Sequence, residues 1–136
     1  MKLEFHHINF VSKNVDGMND FYKNILEMDS IPTEHFPRTE ETFDSGYSGK
    51  INFVTEGKIE MHLAERDINV AFKNNQTINP VDKGHIAFRT DDINSFIDKL
   101  KKKTFHFQIM ELLLPKNGIR FFFMIRKETL LKSIKI

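Results

Sequence analysis

Apolar and polar positions alternate along Leu3–Ser12, which predicts a strand with Ile8 and Phe10 on one face and Phe5, His7 and Asn9 on the other. The period then changes. Met18, Phe21, Tyr22, Ile25 and Leu26 recur at helical spacing, and Asn14 or Asp16 can cap a helix running to about Met28. Residues 29–50 are polar and carry Pro32, Pro37, Gly46 and Gly49, so a loop region with room for one irregular strand is expected. Alternation returns over 51–55 and 58–64, two strands of a hairpin turning at Glu56-Gly57. Residues 66–83 read as a polar connection. A strand follows over 84–90, then a helix over 93–102 with Ile93, Phe96, Ile97 and Leu100 along one side. Two further strands are expected at 118–125 and 129–136.

One pattern occurs twice. His7-Ile8-Asn9-Phe10-Val11-Ser12 recurs as His85-Ile86-Ala87-Phe88-Arg89-Thr90, 78 residues on. The offset holds through the helices, pairing Val15 with Ile93, Met18 with Phe96 and Asp20 with Asp98. Such a repeat means two copies of one supersecondary unit. The division expected is a first module over 1–66, a connection over 67–83 and a second module over 84–136, with an atypical tail from about residue 104.

Parity singles out the chemistry. With Ile8, Phe10, Ile86 and Phe88 toward the helices, His7 and His85 point the other way. In the hairpin, Ile59, Met61 and Leu63 form the apolar face, and Glu60 and His62 alternate onto the opposite one. Two histidines and a carboxylate with open positions are a common catalytic metal set. His62 could be a ligand, a second-sphere donor or a substrate contact. His6 falls on the helix-facing side and reads as structural.

Composition narrows the chemistry. The chain has 136 residues and no cysteine, so any metal must be held by His, Asp or Glu, and thiol nucleophiles are excluded. No Gly-rich phosphate loop or G-x-S-x-G elbow occurs. The phenylalanines lie on apolar faces rather than in a base-stacking array, so no nucleic-acid partner is expected. No apolar run approaches the roughly 18 residues that span a membrane, and no secretory leader is evident; a cytoplasmic protein without membrane attachment is expected. The net charge of +1 hides a division: residues 1–100 carry 11 basic and 17 acidic side chains, residues 101–136 carry 9 and 2.

The segments FHHINFVSKNVDGMNDFYKNIL, INFVTEGKIEMHLAE and GHIAFRTDDINSFIDKLKKK, in this order and spacing, resemble the vicinal oxygen chelate superfamily. That group includes glyoxalase I, fosfomycin- and bleomycin-resistance proteins and extradiol dioxygenases. The resemblance implies an α+β fold of two tandem βαβββ modules, forming a curved mixed sheet around a central cavity. It implies a divalent metal (Zn, Ni, Co, Mn or Fe) held by His7, Glu60 and His85, a small-molecule substrate, lyase, isomerase or dioxygenase chemistry, and a homodimer. In a glyoxalase-type isomerisation a ligand carboxylate also moves the proton, and Glu60 is the candidate here. Metal-free members that sequester antibiotics are the alternative.

The family's fourth ligand is a glutamate in a last strand like FFYDPEGNVIEVH, and this chain has no such segment. Read one base out of frame, codons permitted from Arg120 onward give IFFYDPEGNVIEVHQ. The change of charge balance, the Lys101-Lys102-Lys103 run and the lack of Asp after Asp98 agree with a frame shifted after about Lys103. Weak or absent metal binding is expected of the chain as it stands. In a preserved last hairpin, Leu131 or Lys132 would occupy the fourth ligand's place.

Overall fold

The computed structural model describes residues 1–35, 47–103, 107–110, 120–125 and 129–135. Among the described residues, eight strands form one open mixed sheet: β1 (Leu3–Ser12), β2 (Asp29–Ile31), β3 (Ile51–Thr55), β4 (Glu60–Glu65), β5 (His85–Thr90), β6 (Phe107–Met110), β7 (Arg120–Ile125) and β8 (Thr129–Lys135). Their order is β2-β3-β4-β1-β5-β8-β7-β6. The helices are α1 (Val15–Asp20), α2 (Val70–Lys73) and α3 (Ile93–Lys102). The architecture is α+β, built as βαβββ twice, and the two expected tail strands are present as β7 and β8.

The strand order is a palindrome of the repeat. β1 and β5 pair antiparallel at the centre, each runs parallel to the last strand of its own half, and the outer strands follow in mirrored sequence. The central register matches Ile8 with Ile86, flanked by His7 with Ala87 and Asn9 with His85. Residues separated by the repeat offset are thus related by a pseudo-two-fold axis through the Ile8–Ile86 pair, which brings His7 and His85 to either side of it.

α1 packs over the helix-facing side of β1, β3 and β4. Val15, Val54 and Leu63 form its core, with Met18, Tyr22, Met28 and Met61 around them. Asn14 is the cap; its Oδ1 accepts from Gly17 N at 2.9 Å. The expected stripe is only half buried. After Asp20 the backbone widens into a π-helical segment, Phe21–Ile25, closed by Leu26 N to Phe21 O. The added residue per turn rotates the face. Tyr22 stays against Phe10, whereas Phe21, Ile25 and Leu26 are exposed. α3 matches its expected span; Asp92 caps it by accepting from Ser95 N, and Ile93 and Leu100 are buried.

Glycine is required at Gly84, immediately before β5. Its φ is +81°, and a Cβ there would lie 2.2 Å from Asn9 O. This lets the start of β5 close against β1 and sets the height of His85 beside Asn9.

Candidate metal centre

The side of the sheet away from α1 carries the polar residues. Along the rows set by strand register, Glu60 lies opposite His7, and His62 and His85 lie on either side of Asn9. His7, Asn9 and His85 are buried. His7 Nε2 faces His85 Nε2 at 3.4 Å. That is long for a hydrogen bond, yet close to the roughly 3.3 Å between two nitrogens bound to one tetrahedral zinc at about 2.0–2.1 Å. His85 Nδ1 lies 2.9 Å from the Pro80 carbonyl oxygen. A carbonyl only accepts, so the proton is on Nδ1 and the Nε2 lone pair of neutral His85 is aimed at His7.

Glu60 sits on the other flank of His7. Its Oε2 is 3.3 Å from His62 Nε2 and 3.8 Å from His6 Nε2. The hydrogen bond from His62 holds the Glu60 carboxyl below its ordinary value against the opposing effect of burial, and the nearby charges of His6, His62 and Arg89 act in the same direction. Glu60 is therefore a carboxylate at neutral pH. The His62 ring is held by two aromatic neighbours: it stacks on His7 with centroids 3.7 Å apart and takes a T-shaped contact with Phe53 at 4.7 Å.

The four residues singled out from sequence (His7, Glu60, His62 and His85) thus form one contiguous group. The reading of His6 as helix-facing is corrected. The β1–β5 register shifts between Phe5 and His7, a β-bulge that sets His6 as an extra residue against the partner strand. Alternation breaks there, and adjacent histidines both reach the polar face. Donor atoms of His6, His7 and Glu60 lie within 4.8 Å of one another. His85 meets that trio at His7. No parity argument reveals the bulge, but the doubled histidine, without counterpart in the second copy, was its one visible trace.

The donor set suits a borderline divalent ion: neutral imidazoles, one ionised carboxylate, no thiolate. Asn9 adds a buried Oδ1 with no hydrogen bond among the described residues, in the row between His62 and His85. β8 contributes no carboxylate; its sequence is TLLKSIK. In the parallel register Leu131 lies opposite Ile86 and Lys132 opposite Ala87, and their side chains lie outside the described part of the structure. A cavity of about 270 Å³ opens further along β1 and β5, lined by Lys2, Glu4, Arg89, Thr90 and Asp91. Neither His6, His7, His62 nor His85 lines it. Among the described residues no helix is long and apolar enough to cross a membrane.

Solved structures of low identity share the architecture. A hypothetical protein from Bacillus halodurans C-125 superposes with a TM-score of 0.68 at 15% identity, over 100% of this chain and 96% of its own. A glyoxalase/bleomycin resistance protein/dioxygenase superfamily member from Vibrio splendidus 12B01 gives 0.66 at 8% identity, over 99% and 100%. Methylmalonyl-CoA epimerase from Mycobacterium tuberculosis gives 0.63 at 9% identity, over 96% and 86%. No curated protein matches the chain. The family model of the glyoxalase/bleomycin resistance protein/dioxygenase superfamily matches residues 4–123, and the chain belongs to that superfamily.

Proposed function

We propose that this protein is a divalent-metal-dependent enzyme acting on a small molecule with neighbouring oxygens, of the glyoxalase lyase or isomerase type. His7, Glu60 and His85 would hold the metal. The observation that carries the reading is the pair of imidazole nitrogens facing each other at 3.4 Å, with the tautomer of His85 fixed by Pro80. A bound divalent ion would polarise the substrate oxygens as a Lewis acid. The remaining work falls to the chain. Glu60, kept ionised by His62, is the base that would take a proton from carbon and return it to the neighbouring carbon. His62 holds that carboxylate in place and gives up a share of its hydrogen bond when Glu60 becomes protonated. Asn9 Oδ1 offers an acceptor to a substrate hydroxyl.

A second reading has its own support. With no acidic residue in β8, that strand supplies no second carboxylate to complete a four-ligand set, which favours a weak metal or a metal-free small-molecule binder, as among antibiotic-sequestering relatives. A tail encoded in a shifted frame is the origin we propose for that gap.

Metal analysis of protein purified without added metal, followed by zinc, nickel and cobalt titration, separates the two. The enzyme reading expects micromolar or tighter binding and turnover of a methylglyoxal–thiol adduct by the loaded protein. A protein that takes up none of these metals, and binds small ligands equally well with chelator present, belongs to the second reading. The homodimer expected from the family is checked by light scattering.

A further inference from the structure

We propose that His6 is a positioning residue of this centre: it accepts the Nδ1 proton of His7 and turns its own N–H toward Glu60, so that one imidazole braces two ligands. The inference rests on the metal reading above.

Counting protons leads to it. A neutral imidazole has one N–H and one lone pair. Pro80 fixes the N–H of His85 on Nδ1. For His7 and His85 both to direct lone pairs at one cation through their facing Nε2 atoms, His7 must carry its proton on Nδ1 as well. That atom lies 2.6 Å from His6 Nδ1. This is a hydrogen-bond separation with one proton inside it, and it is too short for two nitrogens on a common ion, which stand about 3 Å or more apart. His6 is therefore the acceptor. Its own proton is then on Nε2, 3.8 Å from Glu60 Oε2. At that range the contact is not a hydrogen bond but an electrostatic one, the N–H dipole of His6 lying beside the carboxylate.

Without a cation the same rings settle differently. The lone pair of His85 Nε2 faces His7, so His7 places its proton on Nε2 and becomes the acceptor at Nδ1. His6 then donates from Nδ1. Loading the site thus reverses the direction of the His6–His7 hydrogen bond.

The two halves of the molecule solve one problem in different ways. His6 and Gly84 occupy equivalent places in the repeat. In the second half the ligand's distal nitrogen is held by the Pro80 carbonyl; in the first, the β-bulge brings in a side chain for the same task. A carbonyl ends the chain of hydrogen bonds. An imidazole continues it to the next ligand.

The test is zinc titration of the wild type, His6→Gln and His6→Leu, with long-range proton–nitrogen NMR and X-ray absorption on the loaded proteins. Ligating histidines lose about 10- to 100-fold in metal affinity when their supporting partner is removed. That loss is expected for His6→Leu. His6→Gln, whose amide can both accept and donate, should stay within about threefold of the wild type. The number of bound imidazoles should be the same in all three proteins. In the wild type, zinc should move the His6 proton from Nδ1 to Nε2. A bound-imidazole count that falls by one in both variants would make His6 a ligand and overturn the proposal. So would wild-type affinity in His6→Leu. A wild type that takes up no zinc overturns the metal reading itself, a separable result.

Discussion

Glu60 shows how one side chain's neighbours decide its chemistry. The His62 hydrogen bond is the largest cause of its lowered pKa, ahead of the charges of His6 and Arg89. A depressed carboxyl stabilises the fold above its unfolded value, and that contribution disappears as pH falls through the folded one. Replacing His62 by Phe keeps the stack on His7 and removes the donor. The Glu60 titration, followed by carboxyl carbon NMR on metal-free protein, should then move up toward the ordinary value of 4.5. An unmoved titration would mean that the hydrogen bond is not the cause. Gly84 makes a second residue-scale prediction. A methyl group there meets Asn9 O at 2.2 Å in a backbone conformation that L-residues avoid, so Gly84→Ala should destabilise by about 2–4 kcal/mol in urea unfolding and loosen the His7–His85 pair. Loss of less than about 0.5 kcal/mol would show that the strand shifts freely. At this scale parity revealed His7, Glu60, His62 and His85 as sharing a face, because strand side chains alternate strictly where the ladder is regular. It failed at His6, where the ladder is not.

Secondary elements were readable where their signals are local. Asn14, one of the two caps expected for the first helix, does cap it, and Asp92 caps α3 in the same way, each through a side-chain oxygen three residues before the bonded N–H. Asn14→Ala should lower stability by about 1 kcal/mol, measured by thermal or urea unfolding; an unchanged midpoint would mean that α1 is held by packing alone. The helix expected to reach Met28 instead widens at Phe21 and ends near Ile25, and nothing in the apolar spacing announces a π-helical segment. Tyr22 within that segment and Met28 beyond it pack against the Val15, Val54 and Leu63 cluster, tertiary contacts that the one-dimensional string does not carry. Leu63 is fully buried in that cluster, and Leu63→Ala should cost about 2–5 kcal/mol.

Across the whole molecule the repeat did most of the predictive work. Two βαβββ copies imply a pseudo-two-fold axis, and the observed register places it through Ile8 and Ile86 with a histidine on either side. Under the proposed metal reading, symmetry points to a different place for a fourth ligand than the shifted-frame reading, which gives Leu131 or Lys132. Glu60 is the register partner of His7 on the parallel neighbour β4. Its counterpart is the residue opposite His85 on the parallel neighbour β8. Leu131 pairs with Ile86, so one step back along the register puts Leu130 in that place. The prediction is direct. Leu130→Glu should restore a four-ligand set and tighten zinc binding by at least about tenfold, whereas glutamate at Leu131, opposite Ile86 and one residue out of phase, should not. Competition titration against a chromophoric chelator measures both variants, with light scattering confirming that each is folded and unaggregated. Equal affinities for the two would show that β8 does not hold the pseudo-symmetric register. Tightening only for the variant at Leu130 would locate the fourth side of the centre.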